Sequence, residues 1–295
     1  MEAQNEKTQN ESKRNVNSLD ERKLIINADD FGLTKSCTNA IYEAYRCGLI
    51  TDTTMVANGN AEDAALCLIR EDARFADCIG IHFNLTEGRP LTERIRHQKR
   101  LVSGDCFTGY FRSSRTNFIP LTQEEKKAIR EELEAQVQKL MDLGVEISHA
   151  DSHHHVHTNL QLCGIFASVM NKYGIQKCRL HKNAHSYDWI HDLVWNSYNR
   201  RLKNQFITTD YMGGILDYTE PFMQYHGSME IMVHPDYDAD GILVDRSGMR
   251  EEDAAGRNAA DSCEAEYTAV GTPLSEKLKP LCNSVSRKGN YRELA

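Results

Sequence analysis

Apolar positions along the chain fall into short continuous runs separated by longer amphipathic stretches. Lys23 to Asn27 (KLIIN), Thr51 to Val56, Cys78 to Phe83, the run Val145, Ile147 and Ala150, and Met229 to Val233 (MEIMV) each have the length of a buried strand. Between them, Ser36 to Cys47, Ala61 to Ile69, the run after Thr122, Leu160 to Tyr173, Tyr187 to Leu202 and Pro273 to Val285 read as helices. Gly48, Gly144 and Gly174 stand at helix ends, and Thr122 with Glu125 forms a capping box for the helix that Gly144 closes. The charges of that helix read as a solvated face, and Trp189, Ile190, Leu193, Val194, Trp195 and Tyr198 as core. Strands alternating with helices predict a parallel sheet with helices packed over it, an α/β fold.

Three stretches lack periodicity. Residues 1–21 are polar, cannot repay their ordering entropy, and are expected to form a disordered tail before one domain over 22–295. Asn84 to Pro120 is too long for a plain connection and reads as a functional loop, of the kind that makes a lid. Asp236 to Ser262 is acidic and reads as a surface insertion.

With 295 residues the chain suits a single (β/α) barrel. A net charge of −8 argues against nucleic acid and anionic lipid as partners. No apolar run reaches the roughly 20 residues that cross a bilayer, and the first residues lack a secretory h-region. Nine cysteines, an odd number with no CxxC pair, suit reduced thiols in a cytoplasm better than a disulfide framework. A cytoplasmic protein is expected, and a homo-oligomer is compatible with the sequence.

Candidate chemistry centres on Ser148 to His157, SHADSHHHVH, where borderline-soft imidazoles sit beside a hard carboxylate, as in a divalent metal site. An extended backbone would put Asp151, His153, His155 and His157 on one side, and a helical one would pair His153 with His157. His153 is favoured either way. Other strand runs also end in useful groups: Asp29-Asp30 after LIIN, His82 after CIGI, and His234 after MEIMV. A short strand Cys178 to Leu180 would present Arg179. Carboxyl ends of parallel strands lie on one face, so these groups are expected to converge. Adjacent carboxylates on an extended segment point opposite ways, so that one can ligate metal while the other takes a proton.

NADDFG (27–32), TDTTMVANG (51–59), GIHFNLTEGRPLT (80–92), SHADSHHHVH (148–157), EIMVHP (230–235) and YREL (291–294) resemble the YdjC-type carbohydrate deacetylases, including the chitooligosaccharide deacetylases. The resemblance implies an irregular, TIM-barrel-like (β/α) barrel that removes the acetyl group of an N-acetylated sugar with one divalent ion, Mg²⁺ in the family. Zn²⁺ or another transition ion is the chemical alternative, since hard Mg²⁺ prefers oxygen to two histidines. By the same resemblance Asp30, His82 and His153 are metal ligands, Asp29 the general base and His234 the general acid. Asp151, His155 and Arg179 are expected to orient ligands or substrate. The rival readings are hydrolysis of an O-acetyl ester or phosphoester, and a sugar- or metal-binding protein without turnover.

Overall fold

The computed structural model describes residues 23–184, 189–215, 227–246, 273–284 and 287–294. The expected N-terminal tail lies outside these residues, as do positions 187–188, 247–262 and 285 of the stretches read above. Seven strands form one parallel sheet: β1 Lys23–Phe31, β2 Asp52–Met55, β3 Ile79–Phe83, β4 Ala150–Ser152, β5 Tyr211–Gly214, β6 Ser228–Val233 and β7 Arg287–Lys288. Their order is β4-β3-β2-β1-β6-β5, and β7 lies beside the start of β1. The central strand β1 is flanked by β6 from Lys23↔Ser228 to Ala28↔Val233, and by β2 from Asn27↔Asp52 onward. Its last eight residues are all buried, as its unbroken apolar run requires of a strand covered on both faces.

The sheet curls into a half-barrel. A closed TIM-like barrel is not what the ladders describe: beyond β4 the pairing thins to isolated parallel bridges, Ala150 to Cys178 and Lys177 to Ile207. The backbone from Val145 to His149 is not a strand, so the extended run expected there shortens to Ala150–Ser152.

Helices α1 Lys35–Arg46, α2 Glu62–Glu71, α3 Gln123–Asp142, α4 Cys163–Lys172, α5 Trp189–Lys203 and α6 Leu274–Ser284 join and cover the strands. The expected capping box starts α3: Thr122 Oγ1 accepts from Glu125 N–H, and Glu125 Oε2 accepts from Thr122 N–H. Ile129, Leu133, Val137 and Leu140 of α3 and Phe166 and Val169 of α4 join one core with Ile26, Ile79 and Phe83.

Of the residues of α5 read as core, Tyr198 is buried but Leu193 and Val194 are exposed, at 65% and 40%. Two further expectations need correction. The charges of α3 are not all solvated, because Glu132 is fully buried, as is the neutral Gln136 one turn on. Glu132 accepts from the Leu91 and Thr92 amides and the Thr92 hydroxyl, while Gln136 brackets the Asn84 backbone. They fasten the long segment after β3, which also buries Leu101, Val102, Phe107 and Phe111, so that segment is packed down rather than a free lid. The second correction concerns the stretch from Asp236. Pro235–Tyr237 and Leu243–Asp245 form an antiparallel ribbon packed on α1, where Tyr237 donates to Glu43 and Ser36 donates to Asp236. Its described part is integral to the fold.

Candidate active site

The carboxyl ends of β1, β3 and β4 meet in one buried cluster. Asp30 occupies a left-handed backbone conformation (φ 75°), where the β1–β2 register slips between Ala28 and Phe31. Such a bulge re-aims a side chain at the cost of local strain. A regular pleat would have sent Asp29 and Asp30 to opposite faces, but both reach His82: Asp30 Oδ1 lies 3.3 Å from its Nε2, and Asp29, His82 and Asp151 each offer an atom within 4.8 Å of the others. Directly after β4 the chain enters a tight turn with His154 and His155 also left-handed (φ 52° and 54°). Neither the extended nor the helical alternative for the histidine run is realised. The turn separates the imidazoles: His153 Nδ1 stands 2.7 Å from Asp30 Oδ1, His154 Nδ1 meets Thr86 Oγ1 at 2.9 Å, and His157 Nδ1 pairs with Ser152 Oγ at 2.6 Å.

Asp30, His82 and His153 therefore present three ligand atoms to one point, all within 4.8 Å of each other and all on buried residues. Asp30 Oδ1 is buried without a hydrogen-bond partner among the described residues, although imidazole nitrogens crowd it. A cation satisfies such donors where a proton is poorly aligned, and one carboxylate with two imidazoles suits a divalent ion. Each histidine is backed by a carboxylate. Asp151 Oδ1 takes His82 Nδ1 at 2.6 Å, which fixes the tautomer that turns Nε2 toward Asp30, and Glu87 Oε2 stands 3.4 Å from His153 Nε2. Burial would lower both imidazole pKa values, but the surrounding carboxylates outweigh it, pushing His82 up to about 10 and His153 to about 9.

Asp29 is held by a different set. Burial alone would raise its pKa, but the Arg179 guanidinium grips both carboxyl oxygens at 2.6 Å and holds it well below the ordinary carboxylate range. Asn27 Nδ2 donates to Asp29 Oδ1 at 2.9 Å. Arg179, wholly buried, also meets Asp151 Oδ2 and Glu230 Oε1, each at 2.7 Å. His234 follows β6 and brings Nε2 to 3.9 Å from Asp29 Oδ2, with its side chain 24% exposed at the site's edge. His155 has no hydrogen bond to a ligand candidate among the described residues. Its imidazole is kept neutral by burial and by the charge of Arg179.

The sequence reading missed several members of the site. Arg246, at the end of the Pro235–Asp245 ribbon, donates to Asp30 Oδ2 at 3.0 Å and also faces Asp236. Nothing in the local pattern ties it to a residue 216 positions away. Asn27, Thr54 and Glu87 lie inside the motifs quoted above but were given no role; Thr54 Oγ1 touches both His82 and Asp151. Glu230 did leave a signal, since an acid inside the apolar run MEIMV needs a buried partner.

Residues 23–275 match the sequence model described as YdjC-like protein. A carbohydrate deacetylase of Halalkalibacterium halodurans is 31% identical over 240 residues, covering 78% of this chain and 91% of its own. One from Vibrio campbellii is 31% identical over 77% of this chain and 82% of its own. A chitooligosaccharide deacetylase of Citrobacter koseri is 40% identical over 156 residues, 52% of this chain and 58% of its own. Among solved structures, a proposed cellobiose-phosphate cleavage protein of Enterococcus faecalis superposes with a TM-score of 0.62 at 23% identity, covering 93% of this chain and 99% of that one, a likeness of fold.

Proposed function

This chain belongs to the YdjC-like protein family, and we propose that it is a metal-dependent hydrolase that removes the N-acetyl group of an acetylated amino sugar or short chito-oligosaccharide and releases acetate. The observation that carries the reading is the convergence of Asp30, His82 and His153 on one point with the carboxylate of Asp29 alongside. Relatives named carbohydrate deacetylase and chitooligosaccharide deacetylase support the reaction, and the bridges beyond β4 support an irregular (β/α) barrel as its frame.

Asp30, His82 and His153 would hold one divalent ion, which when bound supplies Lewis acidity toward the acetyl carbonyl and lowers the pKa of an attacking water. Asp29 accepts the proton of that water. Arg179 and Asn27 fix the orientation of its carboxylate, so the base is preorganised and does not swing toward the ion. His234, beside Asp29 and partly open to solvent, delivers a proton to the departing amine. Asp151 and Glu87 hold the two imidazoles in the ligating orientation, and Arg246 holds the outer oxygen of Asp30. Two imidazoles favour Zn²⁺, Mn²⁺ or Co²⁺ over the Mg²⁺ expected from the family resemblance.

The test is acetate release from N-acetylated chito-disaccharide by the protein as purified, after chelation, and after adding back Mg²⁺, Mn²⁺, Co²⁺ or Zn²⁺ singly. Loss on chelation and recovery with one ion is the expected result. Undiminished release after complete metal removal would overturn the metal-dependent reading, and no release with any ion would move the substrate to an O-acetyl ester or a phosphoester.

A further inference from the structure

Both supports of Asp29 lead back to one aromatic ring near the end of the chain. The first runs from Arg179, which grips Asp29, through its Nε to Glu230 Oε1 at 2.7 Å. The other oxygen of Glu230 accepts a hydrogen bond from the hydroxyl of Tyr291. The second support is Asn27. Its amide nitrogen is spent on Asp29, so its oxygen accepts from His149 Nε2 at 3.0 Å, and the His149 ring lies flat on the Tyr291 ring, 3.9 Å between centroids at 7°. Tyr291, Glu230, Arg179, His149 and Asn27 are each fully buried.

The end of the chain is fastened so that this ring stays in place. The Tyr291 amide donates to Asp52 Oδ1 at 3.0 Å, and Lys177 Nζ donates to the carbonyls of Tyr291, Arg292 and Leu294. Gly80 has a matching role in β3: a Cβ there would fall 2.6 Å from the His149 carbonyl oxygen and 2.7 Å from its ring. Burying one guanidinium among three carboxylates is a costly way to fill a core, and apolar side chains of similar volume would stabilise it as well. A network of this kind repays its desolvation when a reactive group must be held in one orientation.

We propose that Tyr291 and Glu230 are positioning residues for Asp29: the tyrosine hydroxyl anchors Glu230 and hence Arg179, while its ring anchors His149 and hence Asn27. The inference rests on the deacetylase reading for its rate assay but not for its geometry. Tyr291→Phe keeps the ring on His149 and removes only the hydroxyl. With full-length, metal-loaded protein, it is expected to lower kcat for acetate release about tenfold, with KM and metal per chain unchanged within about twofold. In a Glu230→Gln background the same substitution should cost nothing further, because the hydroxyl acts through that carboxylate. A merely structural tyrosine would lower thermal stability and lose activity equally in both backgrounds. Wild-type kcat in Tyr291→Phe, or an additive loss in the double variant, would overturn the proposal.

Should the wild-type protein release no acetate from any acetylated sugar, the deacetylase reading fails separately. Positioning is then read from protein ¹⁵N-labelled at arginine, with the Arg179 side-chain Nε–H signal assigned by its loss in Arg179→Lys. Displacement of that signal in both Tyr291→Phe and Asp29→Asn supports the link, and an unmoved signal in Tyr291→Phe refutes it.

Discussion

Two neighbouring aspartates differ in what surrounds them, and that difference separates their chemistry. Asp30 faces imidazole nitrogens and Arg246, whereas Asp29 faces Arg179 and Asn27. Asp29→Asn preserves shape and leaves the ligand cluster intact. It is expected to lower kcat by about 10²- to 10⁴-fold, the usual worth of a general base, with metal content unchanged by elemental analysis. Undiminished turnover would remove Asp29 from the base role. Asp151→Asn should do the opposite, loosening the hydrogen bond that orients His82 and weakening metal affinity about 10- to 100-fold in a competition titration. Unchanged affinity would mean that Asp151 serves only Arg179. At this scale the sequence was readable where a polar group ended an apolar run, as at Asp29, Asp30, His82 and His153. It was silent for Arg246, and gave Glu87 no partner, because both meet distant segments only by tertiary folding.

Strands and helices were legible because burial leaves a periodic imprint; the irregular backbone that makes the site does not. Asp30, His154 and His155 are the non-glycine residues with positive φ among those described: the first is a candidate ligand, and the other two directly follow the candidate ligand His153. No hydropathy pattern encodes such turns, so the histidine run was open to two regular geometries and adopts neither. The ribbon from Pro235 was hidden for a related reason, since its two strands have only three residues each. Another element-scale device joins β2 to the turn at Tyr291–Glu293. Asp52, buried and accepting the Tyr291 amide, has its pKa pushed up from 3.8 to about 7, with burial the main cause. The folded state then holds this proton more tightly than the unfolded chain, so the associated stability is complete below the unfolded pKa and is lost as pH rises through 7. Asp52→Asn can still accept from the Tyr291 amide. It should be close to neutral at about pH 3.5, below the unfolded pKa, and raise Tm at pH 8 by about 2–4 °C for each kcal/mol recovered. An equal effect at both pH values would show that Asp52 does not titrate in this window.

For the molecule as a whole, the candidate ligands tie together segments that otherwise meet only through the sheet: Asp30 from β1, His82 from β3 and His153 from the turn after β4. The half-barrel leaves these carboxyl ends crowded with charge, since Asp29, Asp30, Asp151 and Glu87 all stand within reach of two imidazoles. In the metal-free protein those imidazoles hold protons well above neutrality, and a bound cation replaces protons that only partly fit. An ion bound to the folded state and not to the unfolded chain stabilises by mass action, about 2.7 kcal/mol when free metal is a hundredfold above its Kd. Chelation should therefore lower Tm by several degrees, and the recovery should rank the ions. With two nitrogen donors and one carboxylate, Zn²⁺, Mn²⁺ and Co²⁺ are expected to restore Tm at micromolar concentration and Mg²⁺ only at about millimolar, because Mg²⁺ gives up its water for imidazole reluctantly. Calorimetry of chelated protein titrated with each ion measures this directly. Equal restoration by Mg²⁺ at micromolar concentration would mean that oxygen donors beyond Asp30 complete the site.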